Sequence, residues 1–370
     1  MINQIINIDV LEGLKQLADE SINCCITSPP YYGLRDYGTA KWKGGDLKCN
    51  HEEARHKNRY DYECSDFQLG NKASAVSSYE DVCPKCGAKR IDKQIGLEET
   101  PEQYVARLAD IFDEVKRVLK SDGTIWLNLG DSYVSGKSRY STIEQSILGG
   151  GTNDEKYGGL QHGGKKDFRN HPVYKDKDLF GIPWMVAFEL RKRGWWLRQD
   201  IIWYKRNPMP ESVQDRCTKA HEYVFLLSKS AVYYFDHRAI QEKSINADPK
   251  RNTTINCVKY NDVPGQTPNS FGHKRWQEND DGEMVHNKRS VWETVAEPSK
   301  EIHFAAFPVK LVEPMIKAGC PKGGTVLDPF MGSGTTAVVA KRLGCSYVGF
   351  DLNPEYVKIS EKRLSNVIDI

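Results

Sequence analysis

No run of apolar residues in this chain approaches the length of a membrane span. No signal-peptide pattern opens it: Met1 leads straight into "INQIINIDVLEGL", which already reads as folded strand and helix. A cytoplasmic protein with no membrane partner is expected. Net charge is nearly nil, +2 from 52 basic and 50 acidic side chains, so overall charge selects no partner. No internal repeat is present, which rules out repeat architectures.

What is present fits a soluble globular protein, with 39% hydrophobic and 28% charged residues. A length of 370 residues suits one large α/β domain with insertions, or two domains. There are 10 cysteines. Without an export signal they read as metal ligands or core rather than disulfides. Charge is uneven locally: Arg191, Lys192, Arg193, Arg198, Lys205 and Arg206 interleave with Trp195, Trp196, Trp203 and Tyr204. That mixture suits a nucleic-acid surface, and equally a solvated helix end followed by a buried strand.

Short apolar strands are expected at 2–8 and 22–27, with the amphipathic "VLEGLKQLADES" between them. Residues 39–93 are polar, Cys/His-bearing and poor in aliphatics, and read as an insertion. The clearest helix follows. Thr100 is a good N-cap, Pro101 suits the first helical position and Gln103 completes a capping box. Tyr104, Val105, Leu108, Ile111, Phe112, Val115, Val118 and Leu119 share one face, and Asp122-Gly123 is expected to end the helix. "TIWLNLGD" reads as a strand, 135–178 as a Gly-rich loop, and "IPWMVAFELRKRGW" as a helix. "LRQDIIWYK" and "EYVFLLSKS" are further strands, and 236–290 is again polar and irregular. From "HFAAFPVKLVEPMIKAG" onward the alternation returns. Strands alternating with helices predict a mostly parallel sheet covered on both faces, with ligands at the strands' carboxyl ends.

Two stretches carry chemistry. In "CITSPPYYG" an apolar run stops abruptly at Pro29 and Pro30, which donate no ladder hydrogen bonds, and aromatic rings hang on the stop. "GGTVLDPFMGSGTTAVVAKRLGCSYVGFDLNPEY" is one βαβ unit. Its first strand is Thr325 to Asp328, its loop Gly332-Ser333-Gly334, its helix Thr335 to Leu343 with Gly344 as cap, and its second strand Ser346 to Asp351. An acid at the end of that second strand can accept from ribose hydroxyls. A dinucleotide fold would place a third glycine where Thr336 and Ala337 stand, and a P-loop would need a lysine that is absent. Phe330, between Pro329 and Met331, suits an adenosine or sulfonium ligand better than a pyrophosphate.

"TSPPY" (Thr27 to Tyr31) together with "DPFMGSGTT" (Asp328 to Thr336) resembles the amino-methylating DNA methyltransferases, with the motif order of their β group. "SDGTIWLNLGD", "IIWYKRNPMPESVQDRCTKAHEYVFLLSKS", "HFAAFPVKLVEPMI" and "YVGFDLNPEY" are further matches. The resemblance implies a Rossmann-like α/β methyltransferase fold with a mostly parallel seven-stranded sheet, in circularly permuted motif order, plus insertions. It implies methyl transfer from S-adenosylmethionine to N4 of cytosine or N6 of adenine in double-stranded DNA. Residues 1–38, 94–235 and 291–370 would form the catalytic domain. By resemblance the Ser28 hydroxyl and the Pro29 carbonyl hold the amine, Pro30 stiffens the motif and Tyr31 stacks on an extruded base. Asp9, Thr27, Phe307, Pro308, Asp328, Phe330, Gly332, Ser333, Gly334, Thr335 and Asp351 are the implied cofactor residues. Serine rather than aspartate at position 28 favours cytosine N4. A restriction-modification role is also implied, leaving room for a cognate restriction endonuclease and for a homodimer.

Inside the insertion, "CPKCG" (Cys83, Cys86) is a metal knuckle in form, and Cys49 and His51 of "CNH" supply a second pair. A Cys₃His structural zinc site is expected, with Cys64 or His56 as spare ligands; the rival is free cysteines in a loose loop. The other cysteines, Cys24, Cys25, Cys217, Cys257, Cys320 and Cys345, mostly fall in strand patterns and are expected to be buried. Target recognition is expected at 236–290, where Arg251, Lys259, Lys274, Arg275 and Trp276 are available, with 135–178 as a clamp on the DNA. Lys205, Arg206, Asn207 and Pro208 would edge the groove. Two rivals remain. A protein- or RNA-directed methyltransferase would begin its acceptor motif with Asn and place its cofactor loop first. A degenerate, non-catalytic relative would not need both motifs intact.

Overall fold

Residues 24–27 of the strand Ile22–Thr27 and residues 123–129 of Leu119–Leu129 are buried one after another without alternation, and such strands belong where both faces of a sheet are covered. They lie side by side at the middle of the sheet. The structure is a computed structural model, and it describes residues 2–33, 39–46, 48–51, 54, 82–134, 172–208, 210–244, 277–279, 281–294 and 307–367.

In chain order the elements begin β1 (Gln4–Asn7), α1 (Val10–Leu14), β2 (Ile22–Thr27), β3 (Lys41–Lys43), β4 (Lys89–Ile91), α2 (Pro101–Val118) and β5 (Leu119–Leu129). Then follow α3 (Ile182–Lys192), β6 (Trp196–Lys205), β7 (His221–Ser228), β8 (Glu242–Lys243), β9 (Gln277–Glu278), β10 (Met284–His286) and β11 (Val291–Thr294). The chain closes with α4 (Val309–Gly319), β12 (Thr325–Asp328), α5 (Thr335–Arg342), β13 (Ser346–Asp351) and α6 (Pro354–Ser365).

The main sheet has 8 strands in the order β1-β13-β12-β2-β5-β7-β6-β11. Seven strands were expected; β11, pairing parallel to the outer edge of β6, is the addition. Only β7 runs against its neighbours β5 and β6. One face packs α1, α2 and α3 around Leu14, Tyr104, Phe112, Val186 and Phe225. The other packs α4, α5 and α6 around Trp126, Leu311, Met315, Val338 and Leu364. Side-chain alternation along β5 serves both layers: Ile125 and Leu127 face one core and Trp126 the other.

The α2 capping box forms as expected, with Gln103 and Thr100 exchanging hydrogen bonds at 3.2 and 3.3 Å. The helix ends at Val118 instead of at Asp122-Gly123. Leu119 pairs with Ile22, so tertiary strand pairing takes over before the local stop signal. The first strand and helix are shorter than their patterns, at Gln4–Asn7 and Val10–Leu14. The 236–290 stretch, expected to be irregular, contains a small antiparallel sheet, β8-β10-β9. Arg251, Lys259, Lys274, Arg275, Trp276, Cys257, Cys64, His56 and most of 135–178 lie outside the described residues.

Phe112 is fully buried between α2 and the sheet. Phe112→Ala should cost about 3–5 kcal/mol, measured as a drop in the urea unfolding midpoint.

Candidate active site

The carboxyl ends of β2 and β12 are neighbours, although the residues there are 301 positions apart. Thr27, the last residue of β2, donates its hydroxyl to Asp328 Oδ1 at 2.7 Å. Asp328 ends β12 and is 1% exposed. It also accepts the Phe330 N–H at 3.1 Å and the Thr336 hydroxyl at 2.7 Å. Its carboxylate is thus taken up inside the fold, joining the proline motif's strand to the glycine loop. Burial pushes this carboxyl from 3.8 up to about 6, against the pull of those donors.

Asp351 ends β13 and accepts the backbone N–H of Gly332 and of Asn353, each at 2.8 Å. Burial raises it to about 6 as well. The loop between these acids turns in the left-handed region, where Gly334 has φ +81° and lies against Ser360. Arg363 of α6 holds that loop from behind, donating to the Ser333 carbonyl (2.7 Å), the Ser333 hydroxyl (2.8 Å) and the Thr335 hydroxyl (3.2 Å). Phe307 is buried in the second core, and the Pro308 carbonyl accepts from Leu311 at the start of α4. Asp9 caps α1, accepting the N–H groups of Leu11 and Glu12.

Beyond β2 the proline motif joins a cluster of polar side chains, Asn128 and Glu222 among them. The Ser28 hydroxyl donates to Asn128 Oδ1 at 3.0 Å, so its lone pairs stay available. Pro30 gives its carbonyl to the Tyr104 hydroxyl at 2.9 Å. Among the described residues nothing donates to the Pro29 carbonyl. Tyr31 donates its hydroxyl to Glu222 Oε2 at 2.7 Å. Burial and the Glu222 charge raise the Tyr31 phenol well above its ordinary value, so it stays protonated. Asn128 Nδ2 reaches Glu222 Oε2 at 3.2 Å and the Tyr223 carbonyl at 3.1 Å, and Lys205 pairs with Glu222 Oε1. Glu222 arrives because β7 is reversed: its first residues lie level with the carboxyl end of β5 and, opposite Trp203, of β6. The Tyr31 ring lies so close to Gly130 that a Cβ there would sit 2.5 Å from its Cε2.

Sequence reasoning placed Ser28, Pro29, Pro30, Tyr31 and the glycine loop at this edge, and the structure brings them together. It assigned no role to Asn128, Glu222, Gly130 or Arg363. A buried asparagine inside the apolar run "WLNLG" was the signal available for the first. Glu222 had none, since its place depends on the reversal of a strand. The basic and aromatic stretch divides: Trp195 and Trp203 are buried, while Trp196 and Tyr204 are 45% and 40% exposed. Arg193 is engaged by Asp110, Asp113 and Glu189, and Arg206 pairs with Glu293.

In the insertion, Cys49, His51, Cys83 and Cys86 converge, with their donor atoms all within 4.8 Å of one another. Cys49 Sγ and Cys83 Sγ are 3.9 Å apart, and Cys86 Sγ and His51 Nδ1 3.5 Å. Tetrahedral zinc with ordinary bond lengths needs edges of about 3.8 Å between sulfurs and about 3.6 Å between sulfur and nitrogen. The N–H groups of Ala88 and Asp46 hold the Cys86 thiol below its ordinary value. His51 takes φ +56°, an uncommon conformation for a non-glycine residue.

A sheet with one reversed strand, a glycine loop between Asp328 and Asp351, and a proline motif beside it define a methyltransferase of the S-adenosylmethionine-dependent fold. The family model described as DNA methylase matches residues 22–362, and the chain belongs to that family. It is 36% identical over 366 residues to the type II methyltransferase M.Cfr9I of Citrobacter freundii, covering 98% of this chain and 89% of that protein. It is 35% identical over 358 residues to M.SmaI of Serratia marcescens, covering 96% and 88%. Among solved structures, the cytosine-N4-specific PvuII DNA methyltransferase matches with a TM-score of 0.53 at 16% identity, over 99% of this chain and 88% of that one. A Thermus thermophilus protein assigned as a DNA modification methylase, solved with S-adenosyl-L-methionine, matches at 0.50 and 17%, over 99% and 94%. At such identities these structures attest the fold.

Gly130→Ala forces the Tyr31 ring out of place. Because an ångström of misplacement costs on the order of 100-fold, methyl transfer to DNA should lose at least tenfold in kcat with cofactor affinity unchanged. Steady-state kinetics beside a cofactor titration check this.

Proposed function

We propose that this chain transfers a methyl group from S-adenosylmethionine to the exocyclic amine of a base extruded from duplex DNA, with cytosine N4 as the target. The observation that supports it most is the pairing of two neutral acceptors, Ser28 Oγ and the Pro29 carbonyl, with the glycine loop on the adjoining strand. The bound cofactor supplies an electrophilic methyl on a sulfonium sulfur. The base nitrogen would take that methyl as the carbon–sulfur bond breaks, the bond's electron pair staying on sulfur, and the nitrogen's surplus proton would pass to solvent. An exocyclic amine is a poor nucleophile, because its lone pair is delocalised into the ring. Ser28 and Pro29 would accept its two N–H groups as positive charge grows there, which favours the transition state over the ground state. Tyr31, held at its hydroxyl by Glu222, would present a fixed ring face to the base.

The loop fits the cofactor. Asp351 uses two of about four acceptor sites on backbone N–H groups, leaving the others for ribose hydroxyls. Asp328, wholly engaged inside the fold, would act by holding the loop, and Gly332, Gly334 and Phe330 would border the adenosine. Ser333 and Thr335, tied to Arg363, would set the loop's shape. Thr27, Phe307, Pro308 and Asp9 would line or support the same side.

The preference for cytosine N4 rests on Ser28; N6-adenine is the second reading. Digestion of methylated DNA to nucleosides separates them, and N6-methyladenine as the product would overturn the preference. Residues 1–38, 94–235 and 291–370 would form the catalytic domain, 39–93 a zinc-binding insertion, and 236–290 the target-recognition region. The type II names of the relatives support a restriction-modification role with a cognate endonuclease. Cys49, His51, Cys83 and Cys86 would hold one structural zinc. Elemental analysis of purified protein should find about one zinc per chain, where four bonds close a structural site; Cys86→Ser should lower that content and the thermal midpoint together.

Asp328 and Asp351 make a pH test. Their carboxyls titrate near 6 in the fold and near 3.8 when unfolded, so the native state holds extra protons between those values. Their contribution to stability is therefore greatest below pH 4 and falls as pH rises through 6. Cofactor affinity should run the opposite way, because ribose hydroxyls need an ionised Asp351. It should weaken about tenfold per pH unit below 6, read by calorimetry from pH 8 to 5; a flat profile would remove Asp351 from the cofactor site.

A further inference from the structure

The two-stranded ribbon of β3 and β4 has unlike faces. Alternate residues of an antiparallel pair share a side. Trp42 and Arg90 stand opposite each other on the side of the cysteine–histidine cluster. Trp42 stacks on His51 with centroids 4.4 Å apart and packs with Cys49 and Cys86, while Arg90 pairs with Asp92 at 3.1 Å. The other side carries Lys41, Lys43, Lys89 and Ile91, all exposed. Lys43 and Lys89 stand directly opposite each other, and Lys41 lies two residues along. Among the described residues none of these lysines has an ion-pair partner. Glu12 already pairs with Lys93.

Like charges placed directly across two strands repel, so the register costs stability unless an anion lies on that face. The ribbon is not a loose arm on which such charges could drift apart. The chain enters it from Tyr31 and Gly33 and returns through Ile95 and Gly96, where the Gly33 N–H donates to the Gly96 carbonyl at 2.8 Å. Arg107 of α2 holds the returning strand by the carbonyls of Lys93 and Gln94, at 2.6 and 3.1 Å. The three charges are therefore mounted on the proline motif, at the carboxyl edge of the sheet.

We infer that the Lys41–Lys43–Lys89 face binds the phosphate backbone of the duplex beside the extruded base. The inference rests on the DNA-methylation reading above. Backbone phosphates suit the chemistry: lysines act as point charges, read no sequence, and need only a firm mount. The cluster behind Trp42 would supply that mount.

Binding of the full-length protein to a mixed-sequence duplex, followed by fluorescence anisotropy from about 50 to about 200 mM salt, tests it. Each phosphate that is no longer neutralised flattens the log–log salt slope by about 0.9. Lys41→Ala/Lys43→Ala/Lys89→Ala should therefore reduce the slope by nearly 3 and weaken low-salt binding at least tenfold. Lys41→Arg/Lys43→Arg/Lys89→Arg, which keeps the charge, should retain both. S-adenosylmethionine affinity and far-ultraviolet circular dichroism, unchanged in all variants, establish folding. A folded alanine variant with the wild-type slope would overturn the inference alone. No duplex binding by the wild-type protein would instead overturn the DNA reading, and this inference with it.

Discussion

One buried carboxylate organises the catalytic edge of this protein. Asp328 takes a hydroxyl from Thr27 on the neighbouring strand, an amide from its own loop and a hydroxyl from the helix beyond. Ionised carboxylates are costly to bury, and this one is tolerated because every donor it needs is supplied locally. The consequence is positional. The strand that ends in the proline motif and the strand that opens the glycine loop are locked level with each other. The proline motif and the glycine loop are thereby brought side by side. Arg363 completes the arrangement from the far end of the chain, fixing the loop through its carbonyl and hydroxyls.

Two acceptors beside that edge, the Ser28 hydroxyl and the Pro29 carbonyl, carry no charge of their own. The Ser28 hydroxyl donates its hydrogen bond to Asn128, and the Pro29 carbonyl has no hydrogen to donate. The carboxylate that reaches the same polar cluster, Glu222, is compensated by Lys205 and turned to hold Tyr31. Its role in the geometry is orientation: it anchors the far end of an aromatic ring whose near side is confined by Gly130. The antiparallel course of β7 makes this available, because it delivers the start of a strand to the edge where its neighbours end.

The Cys/His-bearing stretch 39–93 meets a different constraint. It has almost no aliphatic residues from which to build a core, yet it presents an ordered ribbon. Four cysteine and histidine donors gather within 4.8 Å of one another there, beside a stacked tryptophan. Because the ribbon is tied at its base to the proline motif and α2, whatever it touches is registered against that motif.

Much of this was legible in the chain itself. Two prolines after an apolar run predicted where β2 stops, and Asp328 and Asp351 with a glycine loop between them predicted the βαβ unit. Cysteine and histidine spacing predicted the cluster. These are local patterns, in which backbone chemistry over a few residues dictates the outcome. Other features were not legible. The end of α2 was decided by Leu119 pairing with Ile22, and the eighth strand by the free edge of β6. Glu222 reached the proline motif through the direction of β7, and Lys43 came to face Lys89 through the register of a ribbon whose strands are separated by a long polar stretch. Direction, register and adjacency between distant segments are properties of packing, and no window of sequence contains them. The sequence alone determined which groups were suited to the chemistry. Only the tertiary structure decided which of them come together, because hydrogen bonds over hundreds of positions exist only once the sheet has formed.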